Sequence, residues 1–238
     1  MRVLILSGSG LSAESGLPTF RGAAGLYQGM SAEQFLSADG YARDAAAVEE
    51  WLEALRRAER RAVPNRAHRA LAAYQARHPG VSLFTQNVDS LLEQAGAREV
   101  VHLHGRLDRL RCLGHAHPLV LCTGARADAP ARCPRCGSRL RSDVVLFGEA
   151  APEYRTLRAW LRRAGSTDAL VVIGTQGSVL PVNDMARAFP GRTLLNNLHS
   201  SDWIDDTVFG HVIRAPAADA VDAVIDTLEA WRGGVAGA

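Results

Sequence analysis

Four short, mostly apolar runs punctuate the chain: Val3-Leu4-Ile5-Leu6, Val81-Ser82-Leu83-Phe84, Ala169-Leu170-Val171-Val172-Ile173 and Thr193-Leu194-Leu195. Runs of this length between turn residues predict strands buried on both faces. Between them the apolar period changes. Val48, Trp51, Leu52 and Leu55 recur at i, i+3, i+4 and i+7, which predicts an amphipathic helix over 48–58. Glu49 and Glu50 lie near its start and Arg56 and Arg57 near its end, the order the helix dipole favours. A second helix is predicted over 65–77, stopped by Pro79-Gly80. Near the C-terminus Val221, Val224, Ile225, Leu228 and Trp231 keep the same period until Gly233-Gly234, and the tail beyond is expected to fray. Strands alternating with helices predict an α/β fold, a doubly wound parallel sheet of Rossmann type covered on both faces.

Two segments interrupt the alternation. Residues 23–64 read as a helical insertion, and residues 106–142 as a module rich in Cys, His, Pro and Arg. The second lacks the large apolar residues of a core, which is the usual reason for a structural metal. Both are expected to lie within one domain spanning 1–238. That length of 238 residues suits one α/β domain with insertions, and 47% hydrophobic with 22% charged residues is ordinary for a globular enzyme. A net charge of +2 without a long basic run gives no reason to expect nucleic-acid binding. No apolar run approaches the ~18 residues that span a membrane, and Met1 opens almost directly into the first strand. A cytoplasmic protein is expected. All 27 basic residues are arginine.

Candidate chemistry clusters at a few places. After the first run, Gly8, Gly10 and Ala13 fit the dinucleotide-binding spacing G-x-G-x-x-G/A, where amides approach a pyrophosphate. The insertion supplies no strand bearing the acidic ribose ligand that a dehydrogenase carries ~20 residues later, which weakens an oxidoreductase reading. Asn87 and Asp89 follow the second run, at the edge where ligands bind in open α/β sheets, and either one is also suited to cap a helix from Ser90. Cys133 and Cys136 form a Cys-x-x-Cys pair, with Cys112 and Cys122 upstream, in a pattern that favours metal over disulfide.

The residues just past the glycines are more specific. Glu14-Ser15-Gly16-Leu17-Pro18-Thr19-Phe20-Arg21-Gly22 resembles the first motif of the sirtuin family of NAD-dependent protein-lysine deacylases. Further likenesses recur in order: Thr85-Gln86-Asn87-Val88-Asp89, Leu103-His104-Gly105, Cys133-Pro134-Arg135-Cys136, Asp143-Val144-Val145-Leu146-Phe147-Gly148-Glu149, Gly174-Thr175 and Asn196. The resemblance implies NAD held by Gly8, Ser9, Gly10, Ser12, Ala13, Glu14, Pro18, Thr19, Phe20, Arg21, Gln86, Asn87, Asp89, His104, Gly174, Thr175, Gln176 and Asn196. It implies His104 as the base that deprotonates a ribose hydroxyl, with Asn87 and Asp89 beside it. An acyl-lysine protein or peptide would bind Val145, Phe147, Gly148 and Glu149, its backbone added as a strand.

The family's zinc site has two Cys-x-x-Cys pairs. Here His115 takes the place of the missing cysteine, so Cys112, His115, Cys133 and Cys136 are the expected Zn²⁺ ligands, with His117 and Cys122 as substitutes. Other departures are His102 where the family has glutamate, Leu92, Gln176 and Leu198. Relatives that prefer acidic acyl groups carry Tyr-x-x-Arg on the insertion helix. Leu52 and Leu55 fall at those positions, with Arg56 as the nearest cation, so succinyl groups are expected to be poor substrates. The rival functions are ADP-ribosyl transfer or NAD hydrolysis on the same fold, and a non-catalytic nucleotide-sensing module.

Overall fold

Every side chain of β1 (Val3–Ser7) is buried, with Val3 and Ile5 on one face of a sheet and Leu4 and Leu6 on the other. A strand covered on both sides leaves no face for polar residues, which is why this one reads as an unbroken apolar run. The computed structural model describes residues 1–19, 26–27 and 30–234. Phe20 and Arg21, both expected to touch the cofactor, lie outside the described residues.

After β1 the chain makes two 3-10 turns, Ser9–Leu11 and Ala13–Ser15. The antiparallel pair β2 (Leu26–Tyr27) and β3 (Met30–Ser31) follows, then α1 (Ala32–Phe35), α2 (Ala38–Arg43), α3 (Ala45–Glu59) and α4 (Arg66–Arg77). Next come β4 (Val81–Thr85), α5 (Leu91–Gln94) and β5 (Val101–His102). A small antiparallel sheet is built from β6 (Gly105–Cys112), β7 (Val120–Leu121) and β8 (Leu140–Val144), with β6 between the other two. The chain ends through α6 (Tyr154–Arg162), β9 (Ala169–Ile173), α7 (Val182–Ala188), β10 (Arg192–Asn196), β11 (His211–Ile213) and α8 (Ala217–Gly233).

Six strands lie parallel in the order β11-β10-β9-β1-β4-β5, so β1 is central. The chain winds from β1 outward to β4 and β5, then returns to β9 on the other side. The order therefore reverses between β1 and β9, and the carboxyl edge at such a switch point is where doubly wound folds bind their ligands. On one face Leu71 of α4 and Val221, Val224 and Leu228 of α8 pack on Val3 and Ile5. On the other, Leu157 of α6 and Val182 and Ala186 of α7 pack on Leu4 and Leu6. Each large side chain so buried stabilises the fold by roughly 1.5–3 kcal/mol.

The smaller lobe joins the helical segment to the antiparallel sheet. Phe35, Leu36, Val48 and Leu52 pack against Leu107, Val144 and Leu146. Helix α3 starts three residues before the predicted 48–58 because Asp44 caps it, its side chain accepting from Ala47 N at 3.0 Å. The segment predicted as helical also contains the two-residue strands β2 and β3. Among the described residues no helix is long and apolar enough to cross a membrane.

Candidate active site and metal centre

A cleft of about 660 Å³ lies at the carboxyl edge of the large sheet, between it and the smaller lobe. Gly8, Ser9, Ser12, Pro18 and Thr19 line it from the β1 loop, and Gln86, Asn87 and Asp89 from the β4 loop. His104, Thr175 and Gln176 line it too, as do Val145, Phe147, Gly148 and Glu149. Gly10, Ala13, Glu14, Gly174 and Asn196 stand outside the lining. Several of them have a structural use. A methyl group at Gly8 would meet Gly174 O at 2.7 Å, and one at Gly10 would meet Gly174 Cα at 2.7 Å. The glycines let the β1 and β9 loops touch, with Gly10 N donating to Gly174 O at 2.8 Å. Asn196 is buried, its Nδ2 donating to Ile213 O and Ala215 O at 3.1 and 3.0 Å. Glu14 Oε2 accepts from Ala218 N in the first turn of α8 at 2.8 Å.

Does this loop suit a pyrophosphate? Among the described residues the amides of Ser9, Ala13 and Glu14 have no hydrogen-bond acceptor, and Ser9 faces the cleft. Unpaired N–H groups beside glycines are what a phosphate needs. The loop fits.

His104 is the cleft's base. Its Nδ1 lies 2.9 Å from Gln86 O, which can only accept, so the ring proton is on Nδ1. Nε2 is left as an acceptor facing the cleft, where the Tyr154 hydroxyl donates to it at 2.9 Å. Burial pulls the imidazole below its ordinary 6.5, with the Gln86 carbonyl opposing, so the ring is neutral at physiological pH. The neighbouring His102 is satisfied elsewhere, at Asn87 O (3.0 Å) and Glu93 Oε1 (2.8 Å).

Asn87 and Asp89 meet at Ser12. Asn87 Nδ2 donates to Ser12 Oγ at 3.1 Å, and that hydroxyl donates to Asp89 Oδ2 at 2.9 Å. Asp89 Oδ1 accepts from Leu91 N, the first residue of α5, at 3.1 Å, while burial pushes its carboxyl above the usual range. The fourth member, His68, belongs to none of the motifs read from the sequence above. At N3 of α4 it completes a capping box with Asn65, Nδ1 accepting from Asn65 N at 3.2 Å. Nε2 therefore carries the proton and donates to Ser12 Oγ at 3.3 Å. Serine, histidine and aspartate come together here, but the hydroxyl hydrogen points at the carboxylate and the imidazole is a donor. A nucleophilic serine needs the reverse.

Burial lowers His68 from 6.5 to about 4. The unfolded chain takes up this proton near 6.5 and the folded chain not until about 4. Stability from this group is therefore complete above that window and falls as pH drops through it, by on the order of 3 kcal/mol. His68→Gln keeps a polar N3 side chain and is expected to remove this share of acid sensitivity. Urea midpoints at about pH 7 and about pH 5 check it. An equal acid loss in both proteins contradicts it.

The segment expected to receive a substrate strand is partly paired already. Phe147 N donates to Leu36 O and Phe147 O accepts from Ala38 N, both at 2.9 Å, while Val145 N donates to His104 O. Glu149 holds the turn from within, accepting from Arg141 Nη2 at 2.6 Å and Leu146 N at 3.0 Å. The inner cleft is apolar. Trp51, Leu52, Leu55 and Ala58 of α3 line it with Leu107, Val144 and Leu146. Arg56 points elsewhere, to Leu107 O and Ser142 Oγ at 2.9 Å each and Glu53 at 2.6 Å.

In the small lobe, ligand atoms of Cys112, His117, Cys133 and Cys136 lie within 4.8 Å of one another. This corrects the expected set, since His117 and not His115 joins the three cysteines. An imidazole nitrogen lies farther from its Cα than a thiol sulfur does, so the counting rule of a cysteine knuckle misplaces a histidine. His115 is exposed, its ring 5.3 Å from that of His117. Cys122 is buried in the lobe's core with Leu110 and Leu140. Cys112 Sγ and Cys136 Sγ are 3.5 Å apart, and His117 Nδ1 and Cys133 Sγ 3.2 Å. Tetrahedral zinc with Zn–S of ~2.3 Å sets sulfurs ~3.8 Å apart, so three thiols and an imidazole at these spacings fit zinc.

A profile of the Sir2 family matches residues 8–181. The chain is 36% identical over 230 residues to the NAD-dependent protein deacylase of Campylobacter jejuni, covering 95% of each. It is 40% identical over 208 residues to NAD-dependent protein deacylase 1 of Pseudomonas aeruginosa, covering 81% of this chain and 78% of that protein. A solved Sir2 homologue–NAD complex matches with TM-score 0.82 at 31% identity, covering 96% of this chain and 89% of the other. A mutant Sir2 homologue in complex with 2'-O-acetyl ADP ribose matches with TM-score 0.82 at 32% identity, covering 96% and 92%. Matched along most of its length by family profile, relatives and solved structures alike, the chain belongs to the Sir2 family.

Proposed function

We propose that the protein is an NAD-dependent protein-lysine deacylase, which transfers the acyl group to ADP-ribose and releases nicotinamide. The observation that carries this reading is His104: a neutral imidazole, its Nδ1–H pinned by Gln86 O, with Nε2 turned into a cleft that joins phosphate-seeking amides to an apolar chamber. NAD supplies an electrophilic ribose carbon, a leaving nicotinamide and the hydroxyl that takes up the acyl group. Gly8, Ser9 and Ser12 would hold it, with Gln86 and Thr175 steadied by their mutual bond at 2.9 Å. His104 Nε2 accepts the proton of the ribose hydroxyl. Asn87 and Asp89 act by position, their groups fixed through Ser12. The lysine stem and acyl chain would lie along Val145, Phe147 and the apolar face of α3. Nicotinamide release from NAD is expected only when an acyl-lysine peptide is present. Equal release without the peptide contradicts the reading.

Zinc would be held by Cys112, His117, Cys133 and Cys136. Four protein ligands leave no open position, so its role is structural. His117→Ala is expected to lose most of the metal while His115→Ala keeps it, as zinc per chain in the purified proteins will show. Loss only on changing His115 would restore the ligand set expected from sequence. Four free cysteines, three of them metal-facing, suit a reducing compartment and support a cytoplasmic location.

A further inference from the structure

Tyr154 opens α6, where it lines the cleft opposite the β4 loop. Its hydroxyl is 2.9 Å from His104 Nε2, and the two rings are tilted at 53° with centroids 5.9 Å apart. A neutral imidazole has one in-plane lone pair. Here Nδ1 carries the proton, bound to Gln86 O, so that lone pair is on Nε2 and the tyrosine occupies it. The base is thus tied at both nitrogens, by a backbone carbonyl on one side and a phenol on the other. Free rotation about its Cβ–Cγ bond is lost, and Nε2 is aimed into the cleft.

We propose that Tyr154 is a positioning residue for His104: its hydroxyl fixes the ring with Nε2 toward the cleft and yields that lone pair to the substrate hydroxyl. Its oxygen also serves after the transfer. When Nε2 takes the proton, the O–H bond of the substrate breaks, its electron pair stays on oxygen, and both imidazole nitrogens become donors. Turning its own hydrogen away, Tyr154 Oη then accepts from Nε2–H. Burial keeps the phenol above its ordinary 10.0, so it remains a protonated donor at neutral pH. Among the described residues the other titratable groups lining the cleft are committed elsewhere, Asp89 to Ser12 and Leu91, Glu149 to Arg141 and Leu146.

This inference rests on His104 being the base of the proposed reaction, but one arm of its test does not need that reaction. In NAD-free protein labelled on histidine, the His104 resonance titrates by NMR in wild type and Tyr154→Phe. Phenylalanine keeps the ring packing and removes only the hydroxyl. Donation to Nε2 stabilises the neutral ring, so the variant's His104 is expected to titrate at higher pH, in a protein that still unfolds cooperatively in urea. The second arm is kinetic. Deacylation kcat is expected to fall about 3- to 10-fold, the scale of one hydrogen bond, with KM for NAD within about twofold. Nicotinamide exchange into NAD, which needs C–N cleavage but no base, is expected to persist at the wild-type rate. An unmoved His104 titration, or an equal loss in exchange and deacylation, overturns the assignment. If wild type does not deacylate while the titration still shifts, the proposed function fails and the Tyr154–His104 link stands.

Discussion

Replacing His104 with alanine is expected to lower the rate of deacylation by about 10²–10⁴-fold, the usual loss when a general base is removed. NAD affinity is expected to change little, because the amides that suit its phosphates belong to the loop after β1 and not to the end of β5. The physical ground is the ring's protonation state. Gln86 O fixes the proton on Nδ1 and burial keeps the ring neutral, so Nε2 is ready to accept without first losing a proton. Because burial lowers this group below 6.5, the acid limb of kcat/KM is expected on the acid side of an ordinary histidine. Steady-state rates with calorimetric NAD binding check both parts. A variant that deacylates near the wild-type rate would remove His104 from the mechanism.

Acetyl, propionyl or longer apolar acyl groups are expected to be removed at least about 10²-fold faster than succinyl. The chamber wall is Trp51, Leu52, Leu55 and Ala58 with Leu107, and among the described residues lining the cleft there is no arginine or lysine. Arg56, the nearest cation in sequence, lies about 100° further round the helix from Leu55. Its guanidinium is already bound to Leu107 O, Ser142 and Glu53. Swinging it inward would break those bonds and leave Leu107 O and Ser142 without the guanidinium. A succinyl carboxylate would be buried without a partner, at a cost of several kcal/mol. Initial rates on matched peptides decide the matter. A succinyl preference would mean that a cation reaches the chamber.

The central strands were legible because burial on both faces leaves continuous apolar runs, as in β1 and β9. Helix α3 showed through its apolar period and α4 through the Pro79-Gly80 that stops it. The small sheet did not show. In β6 the register shifts between Arg106 and Leu110, so its buried Leu107 and Leu110 are three residues apart and the two-residue alternation is broken. Edge strand β11 is three residues long with His211 and Val212 exposed, too short and too wet to carry a pattern. Most of the cleft was readable as motif, because loops at the carboxyl edge hold their chemistry in short sequence. His68 had a usable signal, Asn65-x-x-His68, but a capping box is usually sought with Glu or Gln at N3. Tyr154 had none, since only the packing of α6 brings it to His104, 50 residues away. Asn196 has a second use that its motif did not show, for its amide brackets the end of β10 to the chain after β11.

The destination of the acyl group is the most direct test of the proposed chemistry. NAD and an acetyl-lysine peptide are incubated with the protein and all products are weighed by mass spectrometry. Free-lysine peptide, nicotinamide and acetylated ADP-ribose are expected in equal amounts, because His104 Nε2 frees a ribose hydroxyl to receive the acyl group. Unmodified ADP-ribose with the peptide still acetylated, or ADP-ribose attached to the peptide, would contradict it.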